Sequence, residues 1–270
     1  MIADWDAAYD NMAHVVDGAA YPARWAAAAA AFRAGLPADR RRMGLPYGRH
    51  PRERVDVFLP EGKALGVVIF VHGGYWRRFE PDLFSHLAAG PLGRGWAVAM
   101  PGYPLAPGAR IGAMSRSVTE AVIQTAAALP GPIVVAGHSA GGQLAARLVC
   151  ADAALPERVA ARILRVVSIS GVHDLRPFLR LALNAVLRLD AAEAEAESPA
   201  LLVPREGVRV QAWVGGAELP EFGRQAALLA NVWAGLRAET SLVIAPGRHH
   251  FDVIAPMADA ESELVAALID

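Results

Sequence analysis

The chain has one cysteine, Cys150. That excludes an intramolecular disulfide and a metal cluster built on cysteines. Cys150 sits in an apolar stretch and reads as a buried, inert thiol. Excess charge of either sign is also missing. Lys and Arg number 26 against 27 for Asp and Glu, a formal net charge of -1. This argues against a nucleic-acid or anionic-membrane partner held by charge. No apolar run is long enough to span a bilayer. Asp4, Asp6 and Asp10 stand where a secretory signal would carry lysine or arginine. Internal repeats and low-complexity linkers are absent as well. The expectation is a soluble, cytoplasmic protein acting on a small molecule, with no nucleic acid and no membrane as partner. What the sequence has in quantity is apolar material. Hydrophobic residues make up 54% of 270 and charged residues 20%, enough for one sizeable domain spanning 1–270.

Taken in order, residues 4–34 read as one or two helices closed by Gly35 and Pro37, the alanine run from Ala26 to Ala31 included. Residues 1–50 thus form an N-terminal helical segment. Arg40, Arg41 and Arg42 read as a solvated loop. Arg54 to Leu59 alternates like a half-buried edge strand, and Val67 to Val71 reads as a central buried one. Pro81 to Leu92 is expected to be helical, Trp96 to Met100 a strand, and Ile111 to Leu129 a long helix. Further strands are expected at Pro132–Ala136, Ile163–Ser170, Val208–Val214 and Ser241–Ile244, with helices at Phe222–Leu236 and His250–Ile269. Residues 172–205 break this rhythm and read as a cap-like helical insertion over the active site. Alternating strands and helices imply an α/β fold with a mostly parallel sheet covered on both faces. The N-terminal helices and the insertion are expected over the carboxyl edge of the sheet, where such folds bind ligands.

Chemistry concentrates at Gly137-His138-Ser139-Ala140-Gly141. An apolar strand pattern precedes this G-x-S-x-G and a helical pattern follows it. Strand, sharp turn and helix are the setting in which a serine becomes an exposed nucleophile. A serine hydroxyl needs a base within reach and a third group to orient that base. In this architecture the order is serine, acid, histidine. His173 comes too early and reads as a structural residue, while His249 and His250 both follow the last strand. The acid should follow the penultimate strand, where Glu218 comes first and Glu221 falls in a helix's first turn. Asp174, after the preceding strand, is the remaining candidate and could equally cap a helix. The order of preference is Glu218, Asp174, Glu221. Gly73 and Gly74 follow the central strand and leave backbone N–H groups open to a substrate oxygen. With the N–H of Ala140 they would form an oxyanion hole. His72 beside them reads as a structural hydrogen-bonding residue. Tyr75 and Trp76 come next, either as an aromatic pocket wall or as ordinary packing.

Together these residues resemble the α/β-hydrolase superfamily, and within it the arylformamidase (N-formylkynurenine formamidase) and related esterase branch. The resemblance covers nearly the whole chain. It is carried by Asp4-Trp5-Asp6-Ala7-Ala8-Tyr9-Asp10-Asn11, His72-Gly73-Gly74-Tyr75-Trp76, Gly137-His138-Ser139-Ala140-Gly141-Gly142-Gln143-Leu144 and His250-Phe251-Asp252. It implies the α/β-hydrolase fold and His250, rather than His249, as the base. It also implies hydrolysis of an aryl formamide or a short-chain ester with no cofactor and no metal. The branch usually carries aspartate where this chain has Glu218, and some related hydrolases place the acid at the position of Asp174. Plain carboxylesterases share the signature, so a short-chain carboxylesterase is the alternative activity. A non-catalytic binding protein on the same fold is the remote one.

Overall fold

Along Val67–Val71, consecutive side chains enter opposite halves of the core. Val67 and Ile69 join a cluster with Val135, Ala145, Leu229 and Trp233. Val68 and Phe70 join another with Val134, Phe84, Met257 and Leu264. This is the two-residue period of a strand with both faces covered. The computed structural model describes residues 2–270. Its strands are β1 Arg41–Pro46, β2 Arg54–Phe58, β3 Val67–Val71, β4 Ala97–Pro101, β5 Ile133–His138, β6 Ile163–Ile169, β7 Arg209–Gly215 and β8 Glu239–Ala245. They form an eight-stranded sheet in the order β1-β2-β4-β3-β5-β6-β7-β8. β1 to β2 and β2 to β4 are antiparallel, and the remaining pairs are parallel. Helices Ile111–Ala128, Ala140–Leu148 and Pro220–Ala234 cover one face, and Tyr21–Gly35 and Glu263–Ile269 cover the other. The α/β class and the covered, mostly parallel sheet are as the sequence implies.

Several local expectations need correction. Arg41 and Arg42 lie in strand β1, not in a loop. β1 is an edge strand whose side chains are almost all exposed, so it carries no apolar alternation to read. Because β1 covers it, β2 is an inner strand rather than an edge. Pro81–Ala88 forms 3-10 turns that run into the short helix Ala89–Gly93. The expected helix from His250 to Ile269 is broken. Ala255–Ala258 is a 3-10 turn around Pro256, and a separate helix, Glu263–Ile269, is capped by Ser262. The N-terminal segment is likewise in pieces, Trp5–Tyr9 capped by Asp4 and Asn11–His14 capped by Asp10, before the long helix Tyr21–Gly35.

Residues 172–205 divide into two parts. Phe178 packs under Tyr9 at 4.8 Å between ring centroids, and Leu181 and Leu183 reach the pocket. The later part turns away. Asp190 pairs with Arg110 at 2.7 Å and Glu197 accepts from Ser115 at 2.5 Å, against the helix Ile111–Ala128. Only the first part therefore lies over the site. Cys150 is fully buried, and burial pushes its thiol up to about 12. Among the described residues, no helix is long and apolar enough to cross a membrane.

Candidate active site

Strand β5 ends at His138 and the helix Ala140–Leu148 begins one residue later, so Ser139 occupies the whole turn. Its backbone has φ 56° and ψ -118°, a conformation that costs a side-chain-bearing residue about 1–3 kcal/mol. The surrounding glycines are what allow it. A Cβ on Gly137 would lie 2.1 Å from the Gly141 carbonyl, and one on Gly141 would lie 2.1 Å from the Val71 carbonyl. The strand-to-helix crossing is too tight for any other residue at either position. The helix N-terminus beneath Ser139 places positive dipole and free N–H groups at the reacting end.

The loop after β3 abuts this elbow. A Cβ on Gly73 would meet the His138 carbonyl at 2.8 Å and Ser139 Cβ at 3.0 Å. Gly74 has φ 116°, and Tyr75 and Trp76 follow with φ 51° and 55°. These two successive positive-φ residues set which way each side chain turns. Tyr75 lines the pocket, whereas Trp76 is fully buried and its Nε1 donates to Gln143 Oε1 at 2.9 Å. Trp76 is thus a core residue and not a pocket wall.

His250 and Glu218 meet as a buried pair, with Nδ1 to Oε2 at 2.6 Å and side chains 3% and 1% exposed. A carboxylate accepts, so Nδ1 carries the proton and Nε2 keeps its lone pair. The second carboxylate oxygen, Oε1, accepts from the Gly215 N–H at 2.7 Å and from the Ser170 hydroxyl. The His250 ring rests on Phe222 at 4.4 Å. The His138 ring donates from Nε2 to the His250 carbonyl at 2.9 Å, tying the residue before the serine to the histidine loop.

The other candidates are engaged elsewhere. Asp174 accepts from the Arg176 backbone at 3.1 Å and from its guanidinium at 2.9 Å. Burial pushes its carboxyl up, but these bonds outweigh it and hold it below the usual range. Glu221 is likewise pushed up by burial and held down on balance by Arg224 and by the Tyr9 hydroxyl, which donates to it at 2.8 Å. His249 accepts at Nδ1 from the backbone of Phe251 and Asp252 and donates from Nε2 to Tyr21 at 2.9 Å. His72 donates from Nδ1 to the Gly73 carbonyl at 2.7 Å and stacks on Tyr103. Burial pushes it down to about 4. His173 is buried against Ser168 and pushed down to about 3.

Ser139, His250, Gly73, Gly74 and Tyr75 open onto one cavity of about 300 Å³. Trp25, Phe79, Phe84 and Phe251 give it an aromatic side, and Asn11, Arg77 and Leu181 complete other parts of its wall. Most of these were not singled out as pocket residues from sequence. The family resemblance touches this wall at Asn11 and Phe251.

A strained serine at a strand-to-helix elbow, an ordered histidine–carboxylate pair and a glycine loop on one cavity define a hydrolase-type site. The chain belongs to the alpha/beta hydrolase family, whose model matches residues 68–268. It is similar to the kynurenine formamidase of Salmo salar, 28% identical over 241 residues, covering 84% of this chain and 80% of that one. The kynurenine formamidase of Danio rerio is 29% identical over 237 residues, with the same coverage. A crystal structure from Silicibacter sp. TM1040, of a protein provisionally assigned as a thioesterase, superposes with a TM-score of 0.93. It is 47% identical, and 99% of each chain is covered.

Proposed function

We propose that the chain hydrolyses a small aryl formamide of the N-formylkynurenine type through an acyl-enzyme on Ser139. The observation that carries the reading is that His250, held by the buried Glu218, opens onto the same aromatic-walled cavity as Ser139. Similarity to kynurenine formamidases over 84% of the chain supports the substrate class. The reading treats residues 1–270 as one catalytic unit.

Ser139 Oγ attacks the carbonyl carbon while its proton passes to His250 Nε2. Glu218, bonded to Nδ1–H, keeps the ring in the tautomer that can accept and stabilises the imidazolium. The N–H groups of Gly73, Gly74 and Ala140 receive the charge on the oxygen. His250 then gives its proton to the leaving nitrogen as the C–N bond breaks, leaving formyl on Ser139. Water adds to that carbon as its proton passes to His250, and Ser139 recovers a proton as formate leaves.

The 47% identical structure supports a second reading, cleavage of an ester or thioester by the same steps. N-formylkynurenine, 4-nitrophenyl acetate, 4-nitrophenyl butyrate and a short acyl thioester should be compared under one set of conditions. The formamide is expected to give the highest kcat/KM. Strong ester or thioester turnover with no formamide turnover would replace the first reading with the second. A fluorophosphonate probe should label the wild type and not Ser139→Ala. Absence of labelling on a folded wild type would overturn both.

A further inference from the structure

Among the described residues, two polar groups in the cavity wall have no hydrogen-bond partner, and they have no part in the steps above. Asn11 is only 2% exposed. Its Nδ2 donates to the Tyr75 hydroxyl at 3.2 Å, and that hydroxyl donates in turn to the Tyr9 carbonyl. A tyrosine has one proton to give, so only the amide nitrogen of Asn11 can face it. Asn11 Oδ1 is therefore left over, buried and without a hydrogen bond. Arg77 lines the same cavity, and its Nε is also buried and unbonded. Among the described residues, neither Arg77 nor the adjacent Arg78 pairs with a carboxylate, although most arginines of known geometry in the chain do so or bind a carbonyl. The two carboxylates of the cavity, Asp6 and Asp10, each accept from a backbone N–H, of Ala182 at 2.8 Å and Ala13 at 3.0 Å.

A buried acceptor without a partner is costly, and a charged donor is costlier still. Placed in a cavity wall, such groups are paired by what the cavity binds. Burial, and then the charge of Arg78, hold the Arg77 guanidinium below its ordinary pKa. An anion arriving beside it would offset both effects by pairing with the guanidinium.

We propose that Asn11 and Arg77 are a substrate-recognition pair selecting molecules that carry a carboxylate beside an amine. Arg77 takes the carboxylate, and Asn11 Oδ1 accepts a proton of the amine. The aromatic side chains of Trp25, Phe79 and Phe84 receive the ring of the same molecule. The assignment rests on this cavity being the substrate site of the proposed hydrolase. It adds which end of the substrate the enzyme reads.

The test is a ratio. kcat/KM is measured for N-formylkynurenine and for the same molecule without its carboxylate, in wild type, Arg77→Met, Arg77→Lys and Asn11→Leu. The wild type is expected to prefer the carboxylate-bearing molecule. In Arg77→Met the preference should fall about 10- to 100-fold, the worth of a hydrogen bond to a charged group, and Arg77→Lys should recover part of it. Asn11→Leu should weaken turnover of amine-bearing substrates more than of their deaminated analogues. Turnover of the decarboxylated analogue reports that each variant is folded. A preference in Arg77→Met within twofold of wild type would overturn the proposal. The second arm needs no hydrolysis. Ser139→Ala, alone and with Arg77→Met, is titrated calorimetrically with kynurenine and its decarboxylated amine. If no formamide is cleaved, the activity reading fails alone. Equal affinity of Ser139→Ala for kynurenine and its decarboxylated amine would sink the recognition pair.

Discussion

Glu218 holds His250 with one carboxylate oxygen, Oε2, at 2.6 Å, and spends the other on Gly215 N–H at 2.7 Å and the Ser170 hydroxyl. The side chain is thus fixed at both oxygens, and its length is part of the fit.

Shortening or neutralising that side chain should separate charge from position. Glu218→Gln presents an amide that can turn its N–H to His250 and favour the wrong tautomer. Its kcat should fall on the order of 10³–10⁴-fold. Glu218→Asp keeps the charge but falls short by a methylene, and a loss of roughly 10–100-fold is expected. Steady-state kinetics on the best substrate decide this. Equal activity in both variants would mean that the acid is elsewhere.

The proposed oxyanion loop predicts a separate effect at Gly73. A methyl group there would press on the His138 carbonyl at 2.8 Å and Ser139 Cβ at 3.0 Å. Gly73→Ala should lower kcat by about 100-fold or more, the usual cost of a misplaced oxyanion donor, with a smaller change in KM. Fluorophosphonate labelling kinetics of the same variant should slow in parallel. Undiminished labelling would remove the loop from the reaction.

Tyr75 and Trp76 should part company under mutation. Trp76→Phe removes the bond to Gln143 and leaves space in a fully buried site. It should cost about 2–4 kcal/mol in denaturant unfolding and leave relative rates across a substrate series alone. Tyr75→Phe instead frees Asn11 Nδ2 and should shift that series. Exchanged outcomes would reverse the placement of the two side chains.

Stability should fall on mild acidification. His72 and His173 are buried, and burial pushes them down to about 4 and about 3, against about 6.5 in an unfolded chain. Below pH 6.5 the unfolded state therefore binds more protons, and stability rises with pH. Their contribution is complete above pH 6.5 and is lost as pH falls toward the folded values, by up to about 1.4 kcal/mol per unit for each histidine. Denaturant melts at pH 7.5, 6, 5 and 4.5 measure the slope. A flat profile over that range would show that these rings are not held neutral by burial.

What could be read from sequence was what is local. β3 and β5 are continuous apolar runs, and the elbow at Ser139 is spelled out by Gly137, Gly141 and the switch from strand to helix. Chain order narrowed the histidines and carboxylates to few, but only folding shows Arg176 and Arg224 occupying Asp174 and Glu221. β1 was unreadable because an exposed edge strand has no face to bury. Trp76 was ambiguous because two left-handed residues decide which side chain turns inward. The pocket wall was hidden because Asn11 and Trp25 reach Ser139 only through the fold. Pro256 cannot continue a helix interior, which is why the expected His250–Ile269 helix is two separate pieces.

The hydrogen bond from His138 to the His250 carbonyl closes a sequence separation of 112 residues. Synthesis proceeds from the N-terminus, and domains begin to fold as they emerge. A ribosome that has passed the elbow has therefore made the strained serine and the glycine loop, but neither the carboxylate nor the imidazole. On the proposed mechanism Ser139 is then without the base that would activate it, and the site is complete only when the later strands dock and bring Glu218 and His250 to it.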